Sequence, residues 1–332
     1  MSPRILPAIT LVASVAFAES GPPPWSERYD LPPPMPIPEG NEPTPARIEL
    51  GRALFLFFDP RLSGPDWISC ASCHNPALGW SDGLPVAFGT RPGEPPRATP
   101  TLFNVGYATV LMWDGRRRDL EHEALTSRNF EVADVVRRVA AIEGYAPLFE
   151  AAYPGEGITR QTIAKAIAAF ERSIVSHDTP FDRWQRGEAD AVSAAAKRGF
   201  ALFRGKANCD ACHHGYNFTD DGFHNIGLIT PERFPQDPGR GKWVPIASQA
   251  GAFRTPTLRE IGRTAPYMHN GIYATLEEVV EHYDRGGDVH PPRHPNIRPL
   301  GLTDREKADL LAFLHSLTTP DHEPFSLPNL PR

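Results

Sequence analysis

The chain has 332 residues, enough for two modest domains that each bury their own core. Its 34 Lys and Arg against 40 Asp and Glu leave a formal net charge of −6, and no basic run occurs, which argues against a nucleic-acid partner. The 37 prolines fall mostly between periodic segments and predict long ordered loops around modest regular structure.

Residues 1–18 read as a secretory signal. Arg4 supplies the positive charge, Leu6 to Phe17 a short apolar stretch, and Ala16-Phe17-Ala18 a cleavage site before Glu19. That stretch is too short to span a bilayer and no later segment reaches membrane length; an uncleaved N-terminal anchor is the alternative. The expected location is a bacterial periplasm. Residues 19–44, rich in proline, read as an extended leader and not as a domain.

Residues 45–57 carry a helical pattern that leads into Cys70, Cys73 and His74. Helices are expected at 131–142 and at 159–176. In the second of these, Ile163, Ala166, Ile167, Phe170 and Ile174 form an apolar stripe, with Arg160, Lys165, Glu171 and Arg172 elsewhere on the helix. Residues 190–203 lead in the same way into Cys209, Cys212 and His213. Further helices are expected at 275–284 and at 303–317, the latter opening on Thr303 and Glu306 as a capping box. No convincing alternating strand occurs.

The four cysteines form two Cys-x-x-Cys pairs, each followed at once by histidine. Exported cysteines often form disulfides, and such pairs also occur in redox motifs and zinc sites. Neither alternative explains a histidine directly after both pairs with no cysteine left over. Two thiols at this spacing reach the two vinyl groups of one porphyrin, and the next imidazole hangs under the iron. The pattern is the c-type haem attachment signature, so two covalently bound haem c groups are expected.

The chain also repeats itself. Thr99-Pro-Thr-Leu102 recurs 156 residues on as Thr255-Pro-Thr-Leu258, Met112-Trp-Asp-Gly115 as Met268-His-Asn-Gly271, and Leu120-Glu121 as Leu276-Glu277. Gly51-x-Ala-Leu-Phe55 recurs as Gly199-x-Ala-Leu-Phe203 ahead of the second motif. The haem motifs are 139 residues apart, so the second copy holds 17 extra residues between its haem motif and its Thr-Pro-Thr-Leu. The expected fold is mostly α: two cytochrome c-like haem domains related by an internal repeat, at 45–180 and 181–320, with long ordered loops and a tail at 321–332. The repeat is not symmetric in chemistry. Tyr283, on the helix at 275–284, falls opposite Ser127. A phenolate can ligate iron and a serine hydroxyl does so poorly, so the second haem is expected to be six-coordinate and the first open.

These motifs together resemble the bacterial dihaem cytochrome c peroxidase family, including its MauG branch. The resemblance covers nearly all of residues 45–318 and rests on Cys70-Ala-Ser-Cys-His74, Thr99-Pro-Thr-Leu-Phe-Asn104, Trp113-Asp-Gly-Arg116, Cys209-Asp-Ala-Cys-His213, Phe253-Arg-Thr-Pro-Thr-Leu258 and Thr264-Ala-Pro-Tyr267. It implies that the N-terminal haem reacts with hydrogen peroxide and the C-terminal haem relays or stores electrons. In the MauG branch a tyrosine stands where ordinary members ligate the second iron with methionine, and the segment ending in Tyr283 resembles that version. Ordinary members also block the first iron with a loop histidine; Thr90 stands in its place here.

The resemblance further makes Trp113 an electron or hole relay between the haems, the alternative being a core tryptophan that closes an interface. Thr264 and Pro266 match carbonyl ligands of the family's calcium, but the family's side-chain asparagine is replaced by Ala98. Glu131 and Glu123 are the candidate distal acids, either of which would move a proton between the peroxide oxygens; exposed helix carboxylates are the alternative. His282 is a rival to Tyr283 as ligand, since adjacent helical residues point about 100° apart and only one can serve. Met268 is a chemically plausible ligand placed in a turn, and His214, His224 and His269 read as polar packing near a haem.

The implied activity is a peroxide-using dihaem enzyme. Its electrons would come from a small cytochrome or cupredoxin or, as in the MauG branch, from a tryptophan or tyrosine of a partner protein. The alternative of another class is a non-enzymatic dihaem electron carrier, which would need both irons saturated.

Overall fold

The computed structural model describes residues 29, 32–56, 69–88, 90, 93–126, 135–232, 234–288, 293–320 and 330–331. The expected signal at 1–18, Ser127, Glu131 and most of the tail lie outside the described residues.

Helices dominate, as expected. In chain order they are α1 (Pro45–Phe55), α2 (Cys70–Cys73), α3 (Leu120–Thr126), α4 (Val135–Ala140) and α5 (Tyr145–Ala152). They continue with α6 (Arg160–Arg172), α7 (Pro180–Gln185), α8 (Ala194–Arg204), α9 (Leu276–Asp284) and α10 (Asp304–His315). Among the described residues, sheet is limited to β1 (Phe223–His224) antiparallel to β2 (Phe253–Arg254), with Phe223 opposite Arg254. Two residues are too few to show alternation, so this pair has no sequence signal.

Side-chain caps set where the helices begin. Thr159, Thr275 and Thr303 each accept from the backbone three residues on, and the side chains of Thr162, Glu278 and Glu306 reach back to them. Ser193 caps α8, so that helix starts at Ala194 and not at residue 190. The helix expected to reach 176 stops at Arg172. Ser173 Oγ donates to Phe170 O at 2.6 Å, and the released Ile174 O accepts Asn104 N at 2.9 Å.

The helical crossings repeat. α1 lies against α6, and a Cβ on Gly51 would sit 1.9 Å from Ala166 O; α8 lies against α10, and a Cβ on Gly199 would sit 1.9 Å from Asp309 O. Only glycine allows backbones to approach this closely. One apolar core gathers Phe55, Trp80, Tyr145, Phe149, Ile163 and Phe170, and another Phe181, Phe200, Phe203, Phe218 and Phe313. Tyr29 joins the second core, edge-on to Phe181 and Phe200. Residues 32–38 and 41–44 form neither helix nor strand, yet Asn41 is buried, donating to Glu121 at 2.7 Å and to Lys165 O at 2.9 Å.

The two halves meet along a seam that obeys the same 156-residue offset. Ala98 N donates to His269 O, and Arg254 N, at the equivalent position, donates to Trp113 O, both at 2.8 Å. Asn104 and Glu260, equivalent positions with φ of 58° and 59°, both hold Ser176: Ser176 N donates to Asn104 Oδ1 at 2.8 Å and Ser176 Oγ to Glu260 Oε1 at 2.6 Å. The longer second copy folds back over the first. Arg97 makes a two-pronged contact with Asp237 at 2.7 and 2.8 Å, Trp243 Nε1 donates to Asp114 at 3.0 Å, and Arg240 donates to the carbonyls of Asp114 and Gly115. No described helix is long and apolar enough to cross a membrane.

Candidate active site: two histidine motifs and the seam between them

Around the first motif, α2 places Cys70 and Cys73 one turn apart, and His74 N closes that turn on Cys70 O at 2.9 Å. His74 Nδ1 lies 3.1 Å from Trp80 O, and Trp80 sits at φ 58° to present that carbonyl. Cys209 and Cys212 repeat the arrangement. His213 N bonds Cys209 O at 2.9 Å, and His213 Nδ1 lies 2.9 Å from Phe218 O, with Phe218 at φ 49°. A backbone carbonyl on Nδ1 fixes the tautomer and leaves the proton off Nε2, the nitrogen that would ligate an iron. Burial lowers the basicity of both imidazoles against the opposing effect of that hydrogen bond, which keeps them neutral as iron ligation requires.

None of the four cysteines is in a disulfide. Burial, reinforced by Cys212, pushes the Cys209 thiol up to about 12, so it remains a thiol, the form that adds across a vinyl group. The two motifs do not converge into one zinc site. Among the described residues the one grouping with metal-ligand spacing is Cys212, Asp220 and His224, which is part of the second motif.

Tyr283 and His282 divide as the helix geometry demands. His282 is fully buried, and both its nitrogens are engaged, Nδ1 with the Tyr273 hydroxyl and Nε2 with Ile226 O, each at 3.1 Å. It has no lone pair to offer. Burial pushes the Tyr283 phenol well above its ordinary range, and Cys209 and Cys212 push the same way. Met268 is held in a left-handed turn at φ 72°, closed by Gly271 N on its carbonyl and matched by Met112 at φ 71°.

Trp113 lies at the seam. Its Nε1 donates to Ala98 O at 2.8 Å, and its ring meets His269 at 6.4 Å, edge to face. His269 in turn stacks on Phe253 at 3.5 Å, and burial pushes its pKa down to about 3, so it is a neutral member of an aromatic stack. Asp114 anchors the same region: burial alone would raise its pKa, but Arg97, Arg116 and Trp243 outweigh burial and hold it ionised. His214 Nδ1 lies 3.1 Å from Asp210 O, and His224 lies 2.8 Å from Asp220 Oδ2 and is raised to about 10, first by that carboxylate.

Glu123, on α3, accepts Arg117 Nε at 2.9 Å, and burial raises its pKa in spite of that partner. Thr90 turns its hydroxyl back onto Ala87 O at 2.8 Å. Thr264 and Pro266 follow the short turn Ile261–Arg263, and no described cluster of acidic side chains forms beside them; Ala98 is buried and apolar. Glu171 and Arg172, expected off the apolar stripe of their helix, are nonetheless only 8% and 5% exposed. Arg172 grips Glu121 with two bonds of 2.7 and 2.8 Å. Position 171 continues the four-residue spacing of Ile163 and Ile167, a signal that its charge concealed.

These features fit haem: two thiol pairs, each followed by a neutral imidazole whose Nδ1 is held by a backbone carbonyl. The class so defined is a dihaem c-type cytochrome. Residues 45–190 match the family model for di-haem cytochrome c peroxidase, and residues 196–318 match that for cytochrome c. The methylamine utilization protein MauG of Methylorubrum extorquens is 44% identical over 92% of this chain and 87% of its own. The cytochrome-c peroxidase IdrP1 of Denitromonas iodatirespirans is 36% identical over 99% and 96%. A crystal structure of a MauG-like protein associated with microbial copper homeostasis superposes with a TM-score of 0.78 at 34% identity, covering 88% of this chain and 95% of that one. The chain belongs to the dihaem cytochrome c peroxidase and MauG family, and it is a haem oxidoreductase with two haem c groups.

Proposed function

We propose that this chain is a periplasmic dihaem enzyme in which hydrogen peroxide reacts at the haem held by Cys70, Cys73 and His74, while the haem held by Cys209, Cys212, His213 and Tyr283 stores and relays charge. The observation that carries the reading is on α9: His282 has both nitrogens engaged, which leaves Tyr283 as the candidate ligand of that helix. The repeat puts Ser127 opposite Tyr283, and Thr90 offers no imidazole to the first iron. A bound haem supplies redox chemistry, and the axial ligand tunes its potential.

The protein's own part is to hold neutral imidazoles by backbone carbonyls, to keep Trp113 between the halves, and to place Glu131 or Glu123 as the acid for proton movement. The halves are read as units at 45–180 and 181–320. The electron source is a small cytochrome or cupredoxin or, MauG-like, an oxidisable residue of a partner protein; retention of the tyrosine form favours the latter. The Thr264 and Pro266 carbonyls are a proposed calcium position that lacks a side-chain carboxylate.

Electron paramagnetic resonance of the ferric holoprotein tests the reading. One high-spin and one low-spin haem are expected, with peroxide altering the high-spin signal first. Two low-spin haems would mean an electron carrier.

A further inference from the structure

The repeat exposes a pair of residues that differ between the halves in one telling way. Leu120 and Ala124 of α3 and Leu276 and Val280 of α9 are equivalent and all buried, so the two helices sit in the same register. Val279 lies four residues before Tyr283, on the same face of α9, and packs against the second core. Its equivalent is Glu123. The crossings align Ala166 with Asp309 and Phe170 with Phe313, which makes Glu171 the equivalent of the buried Leu314. Where the second half has an apolar pair, Val279 and Leu314, the first half has two carboxyl groups.

The first-half pair is also chemically unequal. Glu123 keeps one oxygen on Arg117. Glu171 is 8% exposed, and its Oε2 has no hydrogen-bond partner among the described residues. An ionised carboxylate so placed would be heavily penalised, whereas a protonated one is tolerated. The charged groups acting on it are Glu123, Arg172 and Glu121. Arg172 is committed to Glu121, and Asn41 donates to that same carboxylate. Burial, then Glu123, raises Glu171 to about 8.

We propose that Glu171 is the proton-holding partner of Glu123 and that the two carboxyls form a relay supplying protons to peroxide cleavage at the first haem. The inference rests on the reading of that haem as the peroxide-reacting one. Reduction of hydrogen peroxide to two waters breaks the O–O bond and takes up two electrons and two protons. The electrons come from the donor protein or partner residue. Glu123 passes a proton toward the oxygens, Glu171 replaces it, and solvent reprotonates Glu171; a second turn of the same relay completes the balance. Glu171 acts through Glu123 and is a positioning residue that need not touch peroxide.

Two measurements on the full-length holoprotein test this. Infrared spectroscopy of the wild type should show a protonated-carboxyl band that disappears around pH 8, and Glu171→Gln should abolish it. Stopped-flow rates of the haem absorbance change after peroxide addition should fall through the same pH in the wild type. Glu171→Gln and Glu171→Leu should be at least ~10-fold slower with no step there, part of the ~10²–10⁴-fold that general acid–base catalysis contributes. Glu171→Leu copies Leu314 and should fold at least as well, so slowness cannot be laid to unfolding. An unchanged infrared band, or unchanged rates and pH profile in both variants, overturns the relay. A wild type whose haems do not respond to peroxide overturns the parent reading, while the infrared result still decides the state of Glu171.

Discussion

Trp113 and His269 occupy equivalent positions of the repeat, 156 residues apart, and touch each other, ring edge to ring face, with centroids 6.4 Å apart. Each also accepts, on its carbonyl, a backbone hydrogen bond from the other half. The seam is therefore self-complementary in its backbone and different in its side chains. An oxidisable indole stands on one side, and a neutral imidazole stacked on Phe253 stands on the other.

Replacing Trp113 with phenylalanine removes the Nε1 bond to Ala98 O. The orphaned carbonyl should lower stability by ~1–2 kcal/mol. Phenylalanine is far harder to oxidise than tryptophan, so charge sharing between the haems should slow by at least ~10-fold, a barrier increase of ~1.4 kcal/mol. Rapid-scan absorbance of both haems after peroxide addition reads this directly; synchronous changes in the variant would reduce Trp113 to a packing residue.

At α9, Tyr283→Phe should alter the low-spin signal of the second haem and leave the first unchanged. His282→Ala should do the reverse: an unaltered haem spectrum with a stability loss of ~1–3 kcal/mol, because Ile226 O loses its partner and the Tyr273 hydroxyl keeps only Arg285. Paramagnetic resonance and thermal melts on the same two variants separate ligand from scaffold.

Gly51→Ala and Gly199→Ala should each destabilise by ~1–3 kcal/mol or more, since a new methyl meets backbone and not a movable side chain. At roughly 2–4 °C per kcal/mol, the value for cooperative units of about 150–250 residues, calorimetry should resolve both. A change below 1 °C in either would mean that the crossing has more room than 1.9 Å indicates.

Asp182 and Arg259 form a buried two-pronged pair at 2.8 and 2.9 Å beneath the second motif. Burial alone would raise the Asp182 pKa, but Arg259 and Thr179 lower it below its ordinary value. A carboxyl depressed in the folded state stabilises fully above its unfolded pKa of about 3.9 and progressively less as pH falls through the folded value. Denaturant melts should therefore be level for this group above about pH 5 and weaken below 4. Asp182→Asn should cost ~3–5 kcal/mol near neutrality, because Arg259 is left buried and unpaired, and should flatten that acid limb.

Much of this was legible in the chain. Haem attachment, the mostly helical class and the family follow from short motifs, because covalent attachment fixes residue type and spacing rigidly. Helix positions came within a few residues, with caps such as Ser193 and Ser173 deciding the ends. The repeat and the resemblance alone favour Tyr283 over His282; the groups that engage His282, Tyr273 and Ile226, come from other segments. The burial of Glu171 was hidden for a related reason: charge normally marks the wet face, and only the neighbouring helix shows that this face is dry. The Arg97, Asp114 and Asp237 knot joins residues up to 140 apart, and nothing local announces it.

The matched pair of seam hydrogen bonds, Ala98 to His269 and Arg254 to Trp113, is what a two-fold dimer interface looks like when its subunits share one chain. A free dimer of identical units would come apart on dilution and could never give its two haems different surroundings. A tether removes both limits: association becomes intramolecular, and each copy of a position can mutate alone. Each copy can then carry its own side chains, as Trp113 and His269 do, across a joint whose backbone hydrogen bonds still match.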